Sequence, residues 1–138
     1  MIERILVAYD GSEQAEKAFH FALEIARRFD AGLFVLSVAR PPEPPEAVET
    51  EAVIESATEY YRKGFEALAE SARQAGIEPH LEVRVGHPAD QIVHYANELG
   101  ADMIVMGHRG KSFMARWLLG SVSKRVLSYA HCTVTIVR

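Results

Sequence analysis

Apolar positions along the chain alternate between short continuous runs and longer stretches of helical period. Residues 5–9 (Ile-Leu-Val-Ala-Tyr) form the first run, which reads as a strand buried on both faces. Asp10-Gly11-Ser12 ends it with a turn and a helix start. Ala15, Ala18, Phe19, Ala22, Ile25, Ala26 and Phe29 then recur at helical spacing, with Ser12 placed to cap the helix. Glu13 and Glu16 sit favourably at its positive end. Asp30-Ala31-Gly32 stops this helix, and residues 33–39 are a second buried strand. Arg40-Pro41-Pro42-Glu43-Pro44-Pro45 must be an exposed loop, because proline lacks the amide hydrogen that helix or central strand requires.

A long helix follows, with Ile54, Ala57, Tyr61, Phe65, Leu68, Ala72 and Ala75 on one stripe and Gly76 as its stop. Its turns before Val53 are expected to be loosely held. Residues 80–85 alternate as a third, less buried strand, and Gly86-His87-Pro88 opens a third helix with Ile92, Val93, Ala96 and Leu99 inward. Residues 103–106 are a fourth buried strand, Val122, Val126 and Tyr129 mark a last helix, and residues 133–137 a last strand. Strict alternation of buried strands and helices predicts one α/β domain over residues 1–138, with a parallel sheet covered by helices on both faces.

Composition agrees with one globular domain: 138 residues, 49% hydrophobic and 25% charged. The longest apolar stretch, residues 31–39, is too short to span a membrane, and the N-terminus lacks the regions of a signal peptide. Cys132 is the one cysteine, expected to be a small buried hydrophobe. A soluble, cytoplasmic protein without a membrane partner is the expectation.

Charge is spread unevenly. Residues 1–100 hold 9 Lys and Arg against 18 Asp and Glu, whereas residues 101–138 hold 6 basic residues against Asp102 alone. An acidic body argues against nucleic acid as a partner and fits one local anion site in the last third.

In sheets of this kind ligands bind beyond the carboxyl ends of the strands, where the winding reverses. The exit after Met106 reads Gly107-His108-Arg109-Gly110-Lys111-Ser112 and continues to Gly120-Ser121-Val122-Ser123 at the start of the last helix. Glycines let backbone amides approach a ligand, and a helix start adds free amides and partial positive charge. With the hydroxyls of Ser121 and Ser123 and the charges of Arg109, Lys111 and Lys124, the segment suits polyphosphate. It is not a P-loop, since Val105 stands where that motif's first glycine belongs. Nor does the first strand lead into a dinucleotide fingerprint.

Gly107-x2-Gly110-x9-Gly120-Ser121, with Asp10-Gly11-Ser12 closing the first strand, resembles the ATP-binding branch of the universal stress proteins. The likeness extends over the whole chain. It implies an open, doubly wound five-stranded sheet of order 3-2-1-4-5, which puts Asp10 and Gly107 beside one crevice. Carried over position by position, it assigns Gly107, Gly110, Gly120, Ser121 and Val122 to the phosphates and ribose, with Ser123 adding a hydroxyl. Ala8 and Asp10 meet the adenosine end and Val38 borders adenine, while Met106 and Arg109 complete the expected contact set around Gly107. Tyr9 departs from the pattern, since many relatives have proline there.

The expected ligand is therefore ATP with Mg2+, Asp10 recognising ligand or holding the ion through water. The expected role is a nucleotide-dependent switch or sensor in stress response. Relatives that cleave ATP between its α and β phosphates typically carry a Ser-Gly-Gly-x-Asp-Ser loop that this chain lacks, so turnover is not the expected purpose. Alternatives are a slow ATPase or nucleotide-processing enzyme, and a ligand-free dimeric interaction module. The six histidines lack metal-ligand spacing, although His108 lies where it could touch phosphate. Val134, Thr135, Ile136 and Val137 form an apolar edge strand, and the family likeness implies a homodimer joined there.

Overall fold

The structure, a computed structural model, describes residues 1–42, 47–108 and 120–138. Among the described residues nine elements alternate: β1 (Arg4–Ala8), α1 (Glu13–Phe29), β2 (Gly32–Ala39), α2 (Ala47–Gln74), β3 (His80–Val85), α3 (Pro88–Leu99), β4 (Met103–Gly107), α4 (Ser121–Tyr129) and β5 (Thr133–Val137). All the strand pairings are parallel, in the order β3-β2-β1-β4-β5. β1 lies at the centre, with Val7 in register with Val35 of β2 and Val105 of β4.

Successive side chains of a strand face opposite ways, so each central strand feeds two cores. Ile5, Val7, Leu33, Val35 and Val105 pack against α1 and α2, where Ala18, Phe19, Ala22, Ala26, Phe65 and Leu68 are buried. Leu6, Leu36, Val38, Ile104 and Met106 pack on the other face against Ile92, Tyr95 and Ala96 of α3 and Val126 of α4. Because α1 and α2 cover one face and α3 and α4 the other, the winding reverses between β1 and β4. Their carboxyl ends open there side by side.

Two terminal aromatics depart from the inward stripes expected of them. Phe29 is 50% exposed and Tyr129 is 63% exposed. Each is the last residue of its helix, beyond the reach of the sheet beneath. The stop of α1 is made by Asp30 itself, in the left-handed conformation at φ 54°, and Gly32 already belongs to β2. Cys132 is half-buried beside the α3–α4 core rather than within it, and burial pushes its thiol pKa up. Among the described residues no helix is long and apolar enough to cross a membrane.

Candidate functional site

Where β1 and β4 end together, a cleft of about 460 Å³ opens. Ala8, Leu36, Val38 and Met106 line it from the strand ends, Pro88 and Ile92 from α3, and Ala57 and Tyr61 from α2. Asp10, Ser12 and Ala15 line it where α1 begins, and Gly107, Gly120, Ser121, Val122 and Ser123 where β4 ends and α4 starts. The site predicted from sequence therefore converges: Ala8, Asp10, Val38, Met106, Gly107, Gly120, Ser121, Val122 and Ser123 all face one space. Arg109 and Gly110, with Lys111 and Ser112, lie outside the described residues.

The two helix starts beside Asp10 and Gly120 differ chemically. At α1 the Ser12 side chain accepts the Ala15 amide at 3.1 Å, and Asp10 Oδ1 accepts the Ser12 amide at 3.0 Å. Two of the amides at that N-terminus are thus met by side chains of its own turn. Among the described residues no side chain caps α4, whose N-cap is Gly120. The Gly120 amide itself donates to the His108 carbonyl at 3.1 Å. Among the described residues no acceptor meets the amides of Ser121, Val122 and Ser123. A helix start carries partial positive charge as well as unsatisfied N–H groups, so this end of the cleft suits an anion.

Gly107 is held small by packing as well as by any ligand. A Cβ there would lie 2.8 Å from Gln14 Cβ and 2.9 Å from the Gln14 backbone, so a side chain would force β4 away from α1. Ser123, 4% exposed, donates its hydroxyl to the Gly107 carbonyl at 3.3 Å and ties α4 to the end of β4. Its oxygen can still accept, but the hydroxyl hydrogen is committed to that bond. His108 is buried and does not line the cleft; its amide donates to the Val137 carbonyl at 2.8 Å.

Tyr9 is anchored from several directions. Its carbonyl accepts the buried Ser37 hydroxyl at 2.6 Å, and its ring lies 6.5 Å from that of Phe65. Burial, then the nearby Glu16 carboxylate, raises its pKa. Burial, then Asp10, does the same for Tyr61. Both phenols therefore stay neutral at ordinary pH, and among the described residues Asp10 is the only carboxylate in the lining. Asp90 pairs instead with Arg125 at 3.2 Å, and Glu98 with Arg84 at 2.7 Å and His94 at 2.8 Å.

Sequence reasoning did not place Arg40, Ala57, Tyr61, Pro88 and Ile92 in the cleft. Ala57, Tyr61 and Ile92 carry only a core signal, because a helix stripe looks the same whether it covers a strand or the edge of a cavity. Arg40 could have been found by continuing the alternation of Leu36 and Val38 two residues further.

Residues 1–138 match the profile of the universal stress protein family. The chain is 34% identical to a universal stress protein of Methanocaldococcus jannaschii, an alignment covering 100% of this chain and 83% of that protein. Among solved structures it resembles universal stress protein UspA from Lactobacillus plantarum, with a TM-score of 0.87 and 25% identity over 99% of this chain and 97% of that one. It also resembles a universal stress protein solved in complex with cAMP, with a TM-score of 0.68 and 26% identity over 99% and 97% of the two chains.

Proposed function

Because this chain belongs to the universal stress protein family, we propose that its cleft binds an adenine nucleotide, with ATP the expected ligand, and that occupancy serves as a switch or sensor in the cytoplasmic stress response. One observation carries the proposal: a single cleft has at one end a helix start that no described side chain caps, and an apolar slot over β2 at the other. The first suits phosphate and the second suits a flat, poorly hydrated base. A structural relative that holds cAMP supports the adenine class.

In this proposal residues 1–138 act as one nucleotide-binding domain of the ATP-binding branch. Ser121, Val122 and Ser123 offer backbone amides to the phosphates beside Gly107 and Gly120, with Arg109 and Gly110 completing that end. Ala8 and Asp10 meet the adenosine, and Val38 and Met106 border the base. Asp10 also fits a magnesium partner: one carboxylate oxygen is held by the Ser12 amide, leaving the other for an ion that takes its remaining ligands from phosphate and water. Among the described residues no cluster of His, Cys, Asp or Glu could hold a metal by itself, so the ion would arrive with the nucleotide. We favour binding over turnover because, among the described residues, Asp10 has no second carboxylate beside it in the lining to position water. The edge position of β5 supports a homodimer paired through Val134, Thr135, Ile136 and Val137.

Calorimetry of the purified protein with ATP, ADP and AMP, alongside mass spectrometry of ligand released on denaturation, tests the proposal. Saturable heat with ATP, or co-purified adenine nucleotide, is the expected result. No heat at millimolar nucleotide and no released ligand would refute it. Phosphate release at about 1 per second or faster would instead favour an enzyme.

A further inference from the structure

Arg40 lines the cleft at the exit of β2, two strands away from β4. Alternate residues of a strand face the same side of its sheet. Leu36, Val38 and Arg40 continue such a series out of β2, and all three line the cleft. Leu36 and Val38 are buried, whereas Arg40 is exposed at the lip. Ala57 of α2 and Pro88 and Ile92 of α3 also line the cleft.

β1 separates β2 from β4, so the two strand exits stand about 10 Å apart, twice the spacing of neighbouring strands. That distance puts Arg40 at the base end of a nucleotide whose phosphates rest on α4. It is the one cation in the described lining, and no ion pair among the described residues engages it. A guanidinium is planar, weakly hydrated for a cation and stacks readily on aromatic faces. An apolar slot closed by such a group fits a flat heteroaromatic ring better than a sugar or a second phosphate.

We infer that Arg40 is a base-contacting residue that closes the cleft by stacking on the nucleobase. This rests on the adenine-nucleotide reading of the same cleft. It predicts a contact whose loss is independent of how many phosphates the ligand carries.

The test measures ATP and adenosine affinities for the full chain, for Arg40→Ala and for Arg40→Lys, with thermal melting to verify folding. Arg40→Ala should weaken both ligands by a similar factor, about fivefold. Arg40→Lys keeps the charge but loses the plane, and should fall between the native protein and Arg40→Ala. Loss confined to ATP would make Arg40 a phosphate contact and overturn the inference. Unchanged affinity for both ligands would overturn it as well, leaving the nucleotide reading intact. A native protein that binds neither ligand would remove the nucleotide reading itself, and the inference with it.

Discussion

Replacing Ser121 by aspartate separates the effect of the α4 start on a ligand from its effect on the fold. Ser121 is exposed at the first position of the helix, so a larger side chain meets no packing obstacle. A carboxylate there favours the helix by about 0.3–1 kcal/mol through the dipole. The same charge opposes phosphate. About 5 Å from one phosphate charge it costs about 3 kcal/mol at an effective dielectric constant of about 20. Solvent and salt at an exposed site reduce this to about 1.5 kcal/mol, or roughly a tenfold loss of affinity. Paired titrations with ATP and adenosine should therefore show ATP weakened about tenfold, adenosine unchanged, and Tm equal or slightly higher. Added salt should narrow the ATP difference. If ATP binding is untouched while Tm rises, the phosphates do not rest on α4. If adenosine suffers as much as ATP, the substitution has disturbed the pocket rather than its charge.

Three further outcomes follow from the structure. Gly107→Ala puts a Cβ within 2.9 Å of the Gln14 backbone and should cost about 2 kcal/mol of stability, read as a lower urea midpoint; an unchanged midpoint would show that β4 and α1 separate without strain. Ile136→Lys places a charge in the edge strand and should shift a dimer towards monomer in sedimentation velocity, and an unchanged coefficient would argue against pairing through β5. Asp102 accepts the Glu3 and Arg4 amides at 2.8 and 2.9 Å, and these bonds hold its carboxyl below the usual range. Its contribution is therefore full above the unfolded-state pKa and is lost as pH falls through the folded one. Asp102→Ala should lower Tm at neutral pH, with the gap to the native protein closing in acid; a gap independent of pH would assign the loss to something other than that charge.

The architecture was legible because burial on both faces writes a strong signal. Residues 5–9, 33–39 and 103–106 are nearly uninterrupted apolar runs, and only strands between two helical layers need that. Element ends were less legible. Tyr9 looks like strand because it is apolar and buried, yet β1 stops at Ala8. Phe29 and Tyr129 satisfy the helical period but lie where the sheet no longer lies beneath. Nine of the site residues proposed from sequence share one cleft, because glycines, hydroxyls and a helix start at a strand exit leave a local trace. The wall formed by Ala57, Tyr61 and Ile92 left none, since which core residues border a cavity depends on how far apart distant helices sit. Ser123 shows a further limit: a hydroxyl count reveals a donor, but not that the donor is already committed to Gly107.

His108 has a place in the molecule that its ring does not explain. Its N–H holds the carbonyl of Val137, the last residue of the edge strand, and its own carbonyl holds the amide of Gly120, the N-cap of α4. One residue thus joins the rim of the cleft to the boundary of the sheet. A displacement of Gly120 must lengthen one of these bonds or carry Val137 along, so the two regions cannot move as strangers.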